Sequence, residues 1–311
     1  MPPHAPLPPP TALLFGVLLL AGCRAADAPP GSAALPGTPP GPAQTVERLT
    51  AHLHDDDLDG FAREAVPPAL HDRLDAAWRA GRTRWPLDEL PFGVHLPGML
   101  QALAAPGSEA RLQAVFDHQF AGADLQLHGA AVSLGLFGTQ YLQTARGYGD
   151  AERQHYTQLI QAAAGWSTHA PLGDRGRARQ GLAALAAAAR RSGLAAPDAF
   201  QRIGMDEGLR RMGPFTAAFK QALTAYGLDL DADLASLQAT LLQQTGDSAR
   251  VRMRYRFAGA DIDTIVPMQR IDGRWYLVEF LRHAEAAAST GTLAATTHPI
   301  LADTGTAAAA K

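Results

Sequence analysis

The stretch His54-Asp55-Asp56-Asp57-Leu58-Asp59-Gly60 places acids at alternate positions and then a glycine. A calcium-binding loop begins in this way, with oxygen ligands at positions one, three and five and a sharp backbone turn at six. Its twelfth position, which should supply a bidentate acid, is Val66. Without those two oxygens the stretch reads as punctuation: one helix ends near His54 and Asp57 caps the next, where acids also favour the helix dipole. His52 and His54 offer imidazoles with no third ligand at a supporting spacing, and residues two apart on a helix diverge by about 200°. A second acidic run, Asp229, Asp231 and Asp233, lacks the glycine, and Asp231 is the expected cap of the segment after it. No metal and no cofactor are expected.

Arg250, Arg252, Arg254 and Arg256 alternate with Val251, Met253, Tyr255 and Phe257. On a strand they would line one sheet face over about 20 Å, at ~3.4 Å per residue. Guanidinium groups bind phosphate and carboxylate in bidentate fashion, so the row is a candidate anion- or partner-binding surface. The competing reading is a solvated face with cross-strand pairs to Asp261, Asp263 and Glu279. The segment around Arg84, Trp85 and Phe92 is long, amphipathic and set between helices, which makes it the candidate binding loop. His118, His128 and His155 fall on expected helices as core or surface residues. No nucleophile elbow, zinc-protease pair or phosphate loop is present, and the adjacent Asp88 and Glu89 have nothing to separate their roles, so no catalytic residue is assigned.

The elements that position these groups divide into two regions. Helical period runs from residue 45 to about 230: Val46, Leu49 and Leu53; Leu58, Phe61, Ala62 and Ala65; then Leu70, Leu74 and Trp78 after tandem prolines. Ser108 is the expected cap of a helix striped by Leu112, Val115, Phe116 and Phe120 and ended by Gly122. The segment 127–145 is apolar nearly all round and is expected to be the central buried helix. Helices capped by Asp150 and Asp174 follow, the second closing at Gly193, and another is expected from Pro214 to Tyr226. Residues 231–283 then take a period of two, with Asp272-Gly273 as a hairpin turn and strands over 261–271 and 274–280. The expected fold is α+β: a mostly helical domain followed by a C-terminal antiparallel meander of about four strands. Residues 284–311 have little to bury and read as a disordered Ala/Thr-rich tail.

The chain has 311 residues, 47% hydrophobic and 18% charged, and a net charge of -3, which gives no support to nucleic-acid binding. Lysine occurs only at positions 220 and 311, and with the heavy use of arginine and alanine this suggests a GC-rich bacterial source. The one cysteine, Cys23, allows no internal disulfide. It ends an apolar run too short to span a bilayer but of signal-peptide length. Leu20-Ala21-Gly22-Cys23 resembles the lipobox of bacterial lipoproteins. That resemblance implies cleavage between Gly22 and Cys23 and lipidation of Cys23, with residues 1–22 as the signal peptide. Residues 23–44, rich in proline and glycine, would then form a tether. An n-region without Lys or Arg departs from the usual signal pattern. Arg24, where the family often uses Asp for inner-membrane retention, implies the outer membrane and its periplasmic face. The stretch ending Trp275-Tyr276-Leu277-Val278-Glu279-Phe280 is similar to the closing strands of nuclear-transport-factor-2-like cone folds. The expected role is a non-catalytic lipoprotein that binds or scaffolds an envelope component: a protein, lipid A or peptidoglycan. The alternatives are a small-molecule carrier with a cavity between sheet and helices, and an envelope hydrolase.

Overall fold

The computed structural model describes residues 39–90, 93–145 and 147–289. Cys23, the lipobox and Phe92 lie outside them. Three short helices open the fold. In α1 (Pro42–His54) a proline occupies the first turn and Val46 and Leu49 are buried. Asp57 starts α2 (Leu58–Ala65) by accepting the Gly60 N–H at 2.9 Å. In α3 (Pro68–Arg79) the four-residue spacing buries Leu70, Leu74 and Trp78, and the Trp78 indole donates to Phe200 O at 2.8 Å. Two single 3-10 turns, Leu87–Glu89 and Gly93–His95, lead to α4 (Leu96–Ala104) and α5 (Ser108–Gln119). Ser108 is the first residue of α5 and not its cap: Gly107 precedes it at φ 68°, and the Ser108 hydroxyl donates to Leu103 O.

The long helices follow: α6 (Asp124–Thr144), α7 (Asp150–Ser167) and α8 (Arg175–Ser192), with the short α9 (Ala199–Ile203) leading to α10 (Met205–Ala225) and α11 (Leu230–Leu234). Asp174 caps α8 through the Arg177 N–H, and Gly193 closes it at φ 66°, as the spacing predicts. Asp150 is the first residue of α7, after Gly149. Asp229, and not Asp231, caps α11.

Two helices depart from expectation. Residues 127–144 of that segment fall within α6, where only Gly138 and Leu142 are buried, while Leu125, Leu136 and Phe137 are 81%, 69% and 68% exposed. A helix that is apolar all round carries no stripe to say which side faces inward. Here α6 packs chiefly on α7, so closely that a Cβ on Gly135 would meet Ala164 Cβ at 2.9 Å, and its first turns bond the α7–α8 connection through Asp124 and His128. The central helix is instead α10, which packs on α8 and α2 and begins nine residues before Pro214. Proline removes one helical hydrogen bond, and the burial of Leu209, Met212 and Phe215 around it carries the helix through.

The fold is α+β. Its C-terminal sheet is a four-stranded antiparallel meander in the order β1 (Gln238–Thr245), β2 (Ser248–Phe257), β3 (Ala260–Ile271) and β4 (Arg274–Leu277). Asp272 and Gly273 form the last turn at φ 49° and 80°, as the Asp-Gly signal predicts. Val251, Met253, Tyr255 and Phe257 point into the core. The strand expected through Phe280 stops at Leu277, and Val278–Ser289 form α12 against α3 and β3. Ala284, at the start of the expected tail, is fully buried in that helix.

Candidate functional site

The acidic turn after α1 is closed by a lysine. Asp56 sits at φ 57°, and a Cβ on Gly213 of α10 would come 2.7 Å from its carbonyl, so the turn lies directly on α10. Lys220, buried on α10, reaches back to that turn. Its ammonium donates to Leu53 O at 3.2 Å, His54 O at 2.9 Å and Asp231 Oδ1 at 2.6 Å, and lies 2.9 Å from Asp56 Oδ1. The cation that answers these oxygens is therefore part of the chain. Gly60 is required for a local reason: a Cβ there would collide with Asp57 Oδ2 and the His52 ring, which hold each other at 2.8 Å. His54 bonds Asp55 in the same way. Among the described residues, no group of three or more His, Cys, Asp or Glu could hold a metal ion.

The arginine row lies on the outer face of β2, and most of it is paired. Arg252 grips Asp263 with Nε–Oδ1 at 2.8 Å, Arg254 reaches Asp263 at 3.3 Å, and Arg256 lies 4.0 Å from Asp261. Arg250 has no ion pair among the described residues. It lines an open groove of about 590 Å³ with Gln154, Gln158 and Thr264. Glu279, expected opposite this row, is on α12 and buried. In the candidate loop Trp85 is 2% exposed in the core, and Arg84 folds onto Asp88 at 3.0 Å.

A second constellation lies where α7, β3 and α12 meet. A cavity of about 180 Å³ is lined by Glu152, His155, Thr264, Val266, Glu279 and Arg282, and its rim includes the exposed Asp150. On one wall the Glu152 carboxylate accepts the Gly149 N–H at 3.1 Å, pairs with Arg282, and lies 3.1 Å from His283 Nε2. His283 Nδ1 lies 3.1 Å from Glu89. On the other wall His155 Nε2 and the Tyr255 hydroxyl are 2.6 Å apart. Glu279 is 7% exposed, and its Oε1 has no hydrogen-bond partner among the described residues. Burial and the neighbouring Glu152 push its carboxyl up to about 7. Burial also lowers His155 to about 4, so that imidazole is neutral at pH 7. For His283 burial acts downward, but the hydrogen bonds of Glu152 and Glu89 outweigh it and raise the group to about 9. A buried, unpartnered carboxyl poised near neutrality at a cavity wall can bind a cation or take up a proton.

These groups come from widely separated segments, which is why spacing did not reveal them. The only local trace is Glu152, set three residues after Gly149 where it caps α7. The chain matches no family model, no curated protein and no solved structure. Among the described residues no helix is long and apolar enough to cross a membrane.

Proposed function

We propose that the protein is a lipid-anchored, non-catalytic binding protein of the bacterial envelope. Residues 1–22 direct export, Cys23 carries the lipid on the periplasmic face of the outer membrane, and the folded region holds a small ligand. The lipobox residues Leu20-Ala21-Gly22-Cys23 support the anchor. Of the two binding roles read from the sequence, a scaffold using the arginine row is weakened by the pairing of Arg252 and Arg254 with Asp263. The carrier role is favoured by one observation: the unpartnered Oε1 of buried Glu279 at a cavity between helices and sheet. The cavity is close in size to one that holds benzene, about 150 Å³, so the bound group is small. A primary amine satisfies it, as an ammonium against the carboxylate.

Titration calorimetry of the full-length protein in detergent tests the site with n-butylammonium and butyrate as probes. Binding of the amine at least ten-fold tighter than the acid, abolished by Glu279→Gln, is the expected result. Equal or absent binding of both overturns the carrier role. For the anchor, labelling of cells with an alkyne fatty acid should mark the protein and fail on Cys23→Ala. Label retained by that variant would defeat the lipoprotein assignment.

A further inference from the structure

The cavity follows an open strand edge. Along β3, Asp263 N–H donates to Gln158 Oε1 at 3.0 Å, and Gln158 Nε2 donates to Asp263 O at 3.1 Å. One α7 side chain thus completes the backbone of Asp263 on the side away from β2. The β2–β3 register runs from Ser248↔Gln269 to Phe257↔Ala260 without a shift. Backbone groups alternate in direction along a strand, so Ile265 N–H and C=O face the same edge as those of Asp263. Strand β4 covers that edge only from Met268 onward. Ile265 lines both the Glu279 cavity and the Arg250 groove, and Thr264 lines both with it. Pro267, next along the edge, has no N–H to offer, so Ile265 provides one complete donor–acceptor pair.

We propose that this edge takes the amino-terminal end of a short peptide. The proposal rests on the binding role assigned to the Glu279 cavity and specifies its ligand. The peptide's α-ammonium enters the cavity against Glu279. Its first peptide unit pairs with Ile265 N–H and C=O, as a strand added to a sheet edge does. The chain then leaves along the groove, which Arg250 lines from β2, two strand spacings or roughly 10 Å from the added strand. Arg250 pairs in register with Pro267 and is the arginine of the row free to meet a terminal carboxylate. The three parts have different chemistries, and a short peptide, with its backbone between an amine and a carboxylate, satisfies all of them. Because Gln158 and β4 bound the open stretch, the site admits a peptide end and not a long strand.

Calorimetry on the full-length protein in detergent, with trialanine as the probe, tests this. Trialanine should bind at least ten-fold tighter than n-butylammonium. N-acetyltrialanine should lose at least ten-fold, and methylation of the first peptide nitrogen at least five-fold. Trialanine amide should bind several-fold more weakly than trialanine, and Arg250→Ala should erase that difference while leaving the effect of acetylation. Butylammonium binding with trialanine no tighter overturns the peptide assignment and leaves the amine site standing. If neither binds, both fail. Tight trialanine binding that is indifferent to backbone methylation also overturns the strand-edge pairing.

Discussion

Two buried charged clusters occupy this fold, and they are completed in opposite ways. At the α1–α2 turn Lys220 answers two carbonyls and two aspartates, and each of those contacts comes from the chain itself. At the junction of α7, β3 and α12, Glu152 is answered by Arg282 and His283, while Glu279 beside it lines a cavity and its buried Oε1 is unpartnered among the described residues. The first cluster is closed and structural. The second leaves an oxygen unanswered, a defect that natural interiors retain for a reason. The difference teaches that burial of charge marks a site only where the protein leaves it incomplete.

The largest effect should come from breaking the closed cluster. Lys220→Ala leaves Asp56 and Asp231 without their cation and should destabilise the fold by about 3–5 kcal/mol in urea unfolding. A loss below 1 kcal/mol would show that water completes that cluster as well as lysine does.

The open cluster should respond with the opposite sign. Glu279 has a folded pKa of about 7 against an ordinary 4.5, so between these values the folded state holds the extra proton and stability falls as pH rises. Glu279→Gln removes that fall. It should leave stability unchanged near pH 4 and raise it by about 2–3 kcal/mol at pH 8. A variant less stable than the parent at pH 8 would mean that the carboxylate is held by a partner.

The same variant should uncover a second titration. His155, at about 4 against an ordinary 6.5, lets the unfolded state bind the extra proton, so its contribution to stability grows from pH 4 to 6.5. In the parent this rise is opposed by Glu279, and in Glu279→Gln it should appear without that opposition. His283, raised to about 9, contributes fully below pH 6.5 and loses that contribution as pH rises through 9, in parent and variant alike. A flat profile for the variant between pH 4 and 6.5 would contradict the burial of a neutral His155.

The smallest effect sharpens the closed cluster. Asp57→Ala removes the cap on Gly60 N–H and should cost about 1 kcal/mol. Millimolar calcium should leave the unfolding midpoint of the parent and of this variant unchanged. A calcium-dependent shift in the parent, lost in the variant, would restore the loop reading.

Where the sequence was legible, a local rule acted with little competition. The alternation of β2 and the Asp272-Gly273 turn depend on neighbours in the chain, and so does the capping of α2 by Asp57. Where it was not, a distant partner decided. Segment 127–145 looked central because every side was apolar, yet α7 covers only one strip of it. Pro214 looked like a helix start, yet packing on α8 and α2 carries α10 through it. The β-prone run after Trp275 turned into helix at Val278, where α3 and β3 receive it.

The sequence by itself determined the class of fold, the succession from helices to an antiparallel meander, and the inward and outward faces of β2. These follow from periodicity and turn chemistry, which act over a few residues. Only the tertiary structure decided that Lys220 completes the acidic turn, that Arg250 stands apart from its row, and that Glu152, His155 and Glu279 line one cavity with His283 paired to Glu152. Such groups lie up to 167 residues apart, as Lys220 does from Leu53. Spacing along a chain carries no record of contacts that form only when helices and sheet close on one another.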